Sequence, residues 1–143
     1  PWIETLATDV DMQRTPAVWQ PSMELYARAY YSARMLKVLD QVHMSIFEAI
    51  HVKREAIRSE QDLVKFFVAA GVSAEKFSQV FNSFGMSSMV NQAKARMRGY
   101  RTQGTPEMVV NGKYRVSSRM SGGFEGMIQV ANYLIAKERA AVQ

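Results

Sequence analysis

The sequence predicts an α/β fold interrupted by a block of helices, and three observations carry that prediction. Val10 to Val18 alternates loosely between apolar and polar residues and reads as a strand near the start. About five helical periodicities follow it with no strand signal among them. Then GTPEMVVNGKY, residues 104–114, reads as a hairpin, ahead of a closing amphipathic helix. A strand far upstream of a hairpin, with only helices between, is the order left by a helical insertion within a small α/β fold. The length of 143 residues suits one domain with an inserted subdomain.

Trp2 to Ala7 reads as the tail of a helix. In the strand expected over Val10 to Val18, Pro16 lacks an N–H and so marks an edge or a bend. Pro21-Ser22 opens a long helix in which Met23, Tyr26, Ala27, Tyr30, Ala33, Leu36 and Lys37 recur at helical spacing. Leu39 to Ile50 is expected to be a second helix, with Val42, Ile46, Phe47 and Ile50 on one face. Ser59-Glu60-Gln61-Asp62 is a capping box, in which a hydroxyl and an acid three residues apart satisfy each other's backbone donors. The helix it starts runs through Phe66 and Phe67 and stops at Gly71, a favoured C-terminal residue.

Ser73 with Lys76 is a looser start to a helix over Ala74 to Asn82. Residues 86–101 form another, with Met89, Val90, Ala93 and Met97 inward, and Gly104 breaks it. Glu107 to Val110 is a strand by composition, and Asn111-Gly112 is a strong hairpin-turn signal. Pro106 stands at the mouth of that strand, where it has no ladder hydrogen bond to donate. After a loop over Ser117 to Gly123, Phe124 to Lys137 carries Met127, Val130, Ala131, Leu134 and Ile135 at helical spacing.

Composition bounds the function. The chain is 48% hydrophobic and 22% charged, enough apolar residue to build a core. No apolar run approaches the ~20 residues of a membrane-spanning helix. The sequence begins at Pro1 without a basic-apolar-small leader, so its start is expected to lie inside a longer reading frame, any signal peptide having been removed. The net charge is +5, but Lys53, Arg54, Arg58, Lys94, Arg96, Arg98 and Arg101 are spread out with no interleaved aromatics. They read as solvated helix faces, and no nucleic-acid partner is expected. There is no cysteine, hence no disulfide, thiolate nucleophile or zinc-thiolate site within the sequence.

Other constellations are bland. His43 and His51 lie two helical turns apart without an acid or thiol at ligand spacing, so no metal site is expected. The ten methionines fall mostly at core spacing and read as packing. Glu48 and Glu55 lie too far apart in sequence to be read as a catalytic pair, and no dinucleotide, P-loop or nucleophile-elbow motif is present.

The hairpin GTPEMVVNGKYRV, the glycine-rich loop after it and the helix FEGMIQVANYLIAKERA together resemble the C-terminal part of DsbA-type thiol:disulfide oxidoreductases. These are thioredoxin-fold enzymes with an inserted helical domain. HMSIFEAIHVKREAIRSEQDLVKFFVAAGVSAEKFSQVFNSF resembles the family's inserted helices, and DVDMQRTPAVW the strand after its active-site helix. The resemblance covers essentially the whole sequence. It implies a thioredoxin-like part at 1–20 and 102–143, incomplete at the N-terminus, and a helical insertion at 21–101.

The family's chemistry resides in a Cys-x-x-Cys at the start of its first helix, and this sequence resembles the family only from about the second half of that helix onward. Disulfide exchange needs one thiolate to attack and a second sulfur to resolve, so the sequence by itself is expected to be inactive in that exchange. What the resemblance does carry over is Thr105-Pro106, which match the cis-proline pair facing the dithiol. Their peptide bond is expected to be cis, and the Thr105 backbone is expected to pair with an extended substrate. Arg14 falls where the family keeps a basic residue that tunes the site's electrostatics.

The resemblance implies a periplasmic protein without a cofactor. It would act on reduced or unfolded secreted proteins and be reoxidised by a membrane quinone-linked partner. Two alternatives stand beside it: a cysteine-free relative that only binds peptides or scaffolds a complex, and a glutathione-dependent kappa-type transferase or isomerase. Because the strand that would separate Met12 from Val109 is outside the sequence, an open sheet edge is also expected.

Overall fold

The computed structural model describes residues 2–142, and the chain divides into two compact units. One is Pro16–Ala95; the other joins Pro1–Thr15 to Arg96–Gln143.

The first unit is helical. After a single 3-10 turn at Pro21–Met23 come α1 (Glu24–Met35), α2 (Leu39–His51), α3 (Glu60–Ala69), α4 (Ala74–Phe81) and the greater part of α5 (Phe84–Tyr100). The start and stop signals act as their chemistry requires. Ser59 Oγ accepts the Asp62 N–H at 3.2 Å while the Asp62 carboxylate accepts the Ser59 N–H at 3.0 Å, closing the capping box of α3. Gly71 follows α3 at φ +86°, a conformation that favours glycine. Ser73 Oγ accepts the Lys76 N–H at the start of α4, and Ser83 Oγ accepts the Met86 N–H at the start of α5.

α1 lies at the centre of this unit, touching α2, α3 and α4. Its buried residues are accordingly wider than one stripe: Ala27, Ala29, Tyr31, Ser32 and Ala33. The core gathers Val42, Ala49, Ile57, Leu63, Phe66, Phe67, Phe77 and Phe81 around Ala29 and Ala33. Phe77 stacks on Phe67 with ring centroids 4.1 Å apart and tilts against Phe81 at 5.2 Å. On α2, Phe47 departs from its expected inward position. It is exposed and packs against the His51 ring one turn on, while Val42 and Ala49 supply the buried face. On α5 the inward row is Met86, Val90, Ala93 and Met97, with Met89 only half-buried.

The second unit holds β1 (Glu107–Val110), β2 (Tyr114–Ser117) and α6 (Phe124–Val142), with a 3-10 turn at Trp2–Thr5. β1 and β2 pair antiparallel with Glu107 opposite Ser117 and Val110 opposite Tyr114. Asn111 and Gly112 take φ +49° and +68°, and the Lys113 N–H donates to the Val110 carbonyl at 3.0 Å to close the turn. One face of the hairpin packs on α6 through Val116, Met127 and Leu134, with Met108, Val110 and Tyr114 around them.

The strand expected over Val10 to Val18 does not form. Those residues are irregular, and among the described residues the sheet consists of β1 and β2 alone. A strand requires a ladder partner, and loose alternation cannot supply one; locally, Gln13 Nε2 bonds Asp11 Oδ2 instead. The N-terminal segment is held by side chains. Trp2 Nε1 donates to Asn132 Oδ1 at 3.0 Å, and Arg139 pairs with Asp9. The opening turn is 3-10 and ends at Thr5, shorter than the helix tail expected to reach Ala7. No helix among the described residues is long and apolar enough to cross a membrane.

Candidate functional site

The candidate site is the loop between α5 and β1. Arg101, at φ +52°, ends the helix, and the Thr102 N–H returns to the Met97 carbonyl at 3.1 Å. The chain then passes through Gln103, Gly104, Thr105 and Pro106 into β1. The Thr105–Pro106 peptide bond is cis, as expected for this pair. Both residues are exposed. Gly104 and Thr105 make no hydrogen bond among the described residues, so their backbone groups are open to a partner. Beside them, β1 pairs with β2 on one side only among the described residues. Unpaired backbone groups at a strand edge are a template for an extended peptide.

The scaffold behind this loop is tied at its far end. Asn111 Nδ2 and Lys113 Nζ both donate to Glu138 Oε2 at 2.6 Å, joining the hairpin turn to α6. The Lys113 bond, with that from Asn111, holds the Glu138 carboxyl below the usual carboxylate range, and Glu138 in turn raises the Lys113 ammonium. The Arg139 guanidinium likewise lowers the Asp9 carboxyl.

Arg14 makes no bond to this loop. It is exposed on the irregular segment and makes no ion pair or hydrogen bond with Thr105, Pro106 or any other described residue. His43 and His51 are exposed on α2. One residue at the site escaped the sequence reading. Glu107, read only as the first strand residue, places a carboxylate oxygen 3.1 Å from the Gln103 N–H. An acid four residues after a loop amide is too common a spacing to have marked it.

Chemically, the loop and the strand edge offer unpaired backbone donors and acceptors. The sequence holds no cysteine, so neither sulfur of a thiol–disulfide exchange is present in it.

Comparisons with known proteins agree on the family. The DSBA-like thioredoxin domain matches residues 4–134. A thiol:disulfide interchange protein DsbA of Pseudomonas aeruginosa is 36% identical over 143 residues, which are all of this chain and 68% of that protein. A crystal structure of Pseudomonas aeruginosa DsbA superposes with a TM-score of 0.93 over 99% of this chain and 74% of that one, at 36% identity. A Proteus mirabilis DsbA solved with a non-covalently bound peptide, PWATCDS, superposes with a TM-score of 0.79 at 27% identity, over 94% of this chain and 75% of that one. With the inserted helices, the hairpin and the closing helix all matched, the chain belongs to the DsbA-like thioredoxin-domain family.

Proposed function

We propose that this chain supplies the peptide-docking surface and the helical insertion of a periplasmic thiol:disulfide interchange protein, the exchange itself belonging to a dithiol outside the sequence. The observation that carries the reading is the exposed loop at Thr105-Pro106, whose Gly104 and Thr105 backbone groups are unbonded and adjoin the open edge of β1. Family membership supports it, as does the peptide bound non-covalently by the Proteus mirabilis relative.

In this reading the unit built on β1, β2 and α6 is the thioredoxin-like part, and the helical unit is the insertion. A reduced, extended segment of a secreted protein pairs with the Thr105 backbone, which brings its thiol to the dithiol. Arg14 biases the charge near that dithiol. A membrane quinone-linked protein reoxidises the dithiol after each turnover. No cofactor or metal takes part in these steps.

The test has two arms. Titrating an extended seven-residue peptide into the chain should give saturable NMR shifts at Thr105 and at the amides of β1. Insulin reduction and peptide oxidation by the chain alone should stay at the uncatalysed background. Joined to the strand and Cys-x-x-Cys segment of a relative, the chain should gain oxidase activity. Shifts absent at Thr105 would remove the docking role, and thiol exchange by the cysteine-free chain would overturn the chemistry.

A second reading is favoured by one observation, the absence of any cysteine. Under it the chain binds extended peptides without redox chemistry, and restoring a Cys-x-x-Cys segment would leave it inactive.

A further inference from the structure

Glu107 turns its side chain back over the residues that precede it. Its carboxylate accepts the Gln103 N–H at 3.1 Å, spanning Gly104, Thr105 and Pro106. Another partner was in reach of its position. The register sets Glu107 opposite Ser117 and Val109 opposite Arg115, so Glu107 and Arg115 leave the same face of the hairpin as diagonal neighbours. No ion pair joins them among the described residues, and Arg115 Nη1 is buried with no hydrogen-bond partner. The carboxylate is committed to the loop.

Among the described residues that bond is the one hydrogen bond made within residues 103–106. The segment contains Gly104, the residue type with the greatest backbone freedom, and no backbone ladder restrains it. A charged acceptor also makes a stronger hydrogen bond to an amide than a neutral one does. We propose that Glu107 is a positioning residue for peptide docking, clasping loop 103–107 so that the open Gly104 and Thr105 backbone groups are already fixed when a peptide arrives. The inference rests on the docking role proposed above. Its physical basis is preorganisation: a loop that is ordered beforehand loses less conformational freedom on binding, so the same contacts give a tighter complex.

Two variants test it. Glu107→Ala removes the acceptor; Glu107→Gln keeps an oxygen at the same reach. The probe is a seven-residue extended peptide with serine in place of cysteine, titrated into the whole chain and followed by NMR, with amide exchange read at Gln103. Glu107→Ala should weaken the peptide Kd by about three- to tenfold, the range expected for one lost hydrogen bond, and speed exchange at Gln103. Glu107→Gln should bind more weakly than the parent chain but more tightly than Glu107→Ala, and keep Gln103 partly protected, because the neutral amide oxygen still accepts, less strongly. If the parent chain binds and Glu107→Ala binds equally well, this inference alone falls. If Glu107→Ala weakens binding while Gln103 exchange is unchanged, the clasp is not the cause and the inference is overturned. If the parent chain does not bind the peptide at all, the docking role falls with it.

Discussion

The two units of this chain divide labour unequally. Among the described residues the helical unit has the larger core cluster, ten buried residues with stacked phenylalanines, and none of the candidate docking loop. The hairpin unit has a core cluster of three buried residues, Val116, Met127 and Leu134, and carries the loop. The difference shows what each must do. A helix satisfies its own backbone and asks only for an apolar face to bury, so α1 to α4 can close a core among themselves. A two-stranded hairpin leaves ladder groups open and is marginal alone, so it leans on α6 and on side-chain ties such as Glu138 to Asn111 and Lys113. The open backbone that leaves the hairpin with fewer ladder bonds is also what the proposed docking would use.

The comparison breaks if the two cores respond alike. Phe77→Ala empties the middle of the aromatic stack between Phe67 and Phe81 and should cost about 3–5 kcal/mol. Met127→Ala, in the smaller cluster under the hairpin, should cost about 2–3 kcal/mol, since fewer fixed neighbours hold the cavity open. Urea unfolding gives both values. Hydrogen exchange locates them: Phe77→Ala should expose amides of α1, and Met127→Ala those of β1 and β2. Equal loss of protection along the whole chain in both variants would mean that the units unfold as one, and the contrast would lose its energetic basis.

A smaller effect sharpens the same contrast by asking how local the helical unit's signals are. Ser59→Ala removes the hydroxyl half of the capping box and should cost about 1 kcal/mol, with Ser59→Asp restoring most of it. The loss should appear as faster exchange at the first turn of α3. A loss above about 3 kcal/mol would show that Ser59 supports packing beyond its cap.

How much of this was legible follows the same divide. The helices were readable because their signals are local: Ser59 and Asp62 cap α3, Gly71 ends it, and Met86, Val90, Ala93 and Met97 keep a 3.6-residue rhythm on α5. The hairpin was readable from Asn111-Gly112, which needs positive φ at both residues and has it. The strand expected over Val10 to Val18 was not readable, because pairing depends on a partner distant in sequence and alternation does not name one. Phe47 misled for a related reason. Its spacing fits the apolar face, but that face is filled by Val42 and Ala49, and Phe47 finds His51 instead.

Gly126 and Glu107 were silent for opposite reasons. Gly126 reads as an ordinary helical glycine, yet a Cβ there would collide with the Ser121 carbonyl, whose loop folds over the first turn of α6. Glu107 reads as a strand residue, and its return to Gln103 depends on the shape of a loop that periodicity does not describe. Thr105-Pro106 were found through family resemblance, since their exposure and unbonded backbone leave no periodic signature.

The smallest expected effect concerns charge in the helical unit. The Glu24 carboxylate accepts from Lys94 Nζ and from Arg28 Nε and Nη2, while Arg28 Nη1 reaches the Phe81 carbonyl at 2.9 Å and Nη2 the Ser87 hydroxyl at 3.1 Å. One carboxylate thus ties α1 to α5 directly and to the end of α4 through Arg28. The Lys94 bond, with help from Arg28, holds Glu24 below the ordinary glutamate value of 4.5. The side chains are partly screened, at 30% exposure for Glu24 and 20% for Arg28, so Glu24→Gln should cost about 1 kcal/mol or less at neutral pH. The sign of its pH dependence follows from the direction of the shift. A carboxyl whose folded value is depressed binds its proton more readily when unfolded, so its contribution is complete above the unfolded value and is lost as pH falls through the folded one. The stability difference between the parent chain and Glu24→Gln should therefore be level from pH 8 to about pH 6 and shrink progressively as pH falls through about 4.5, where the unfolded carboxyl is half protonated. Urea midpoints taken at half-unit steps of pH would read it. A difference that persists undiminished at pH 3 would assign the effect to shape and packing at residue 24, and the ion pairs would drop out of what holds the helical unit together.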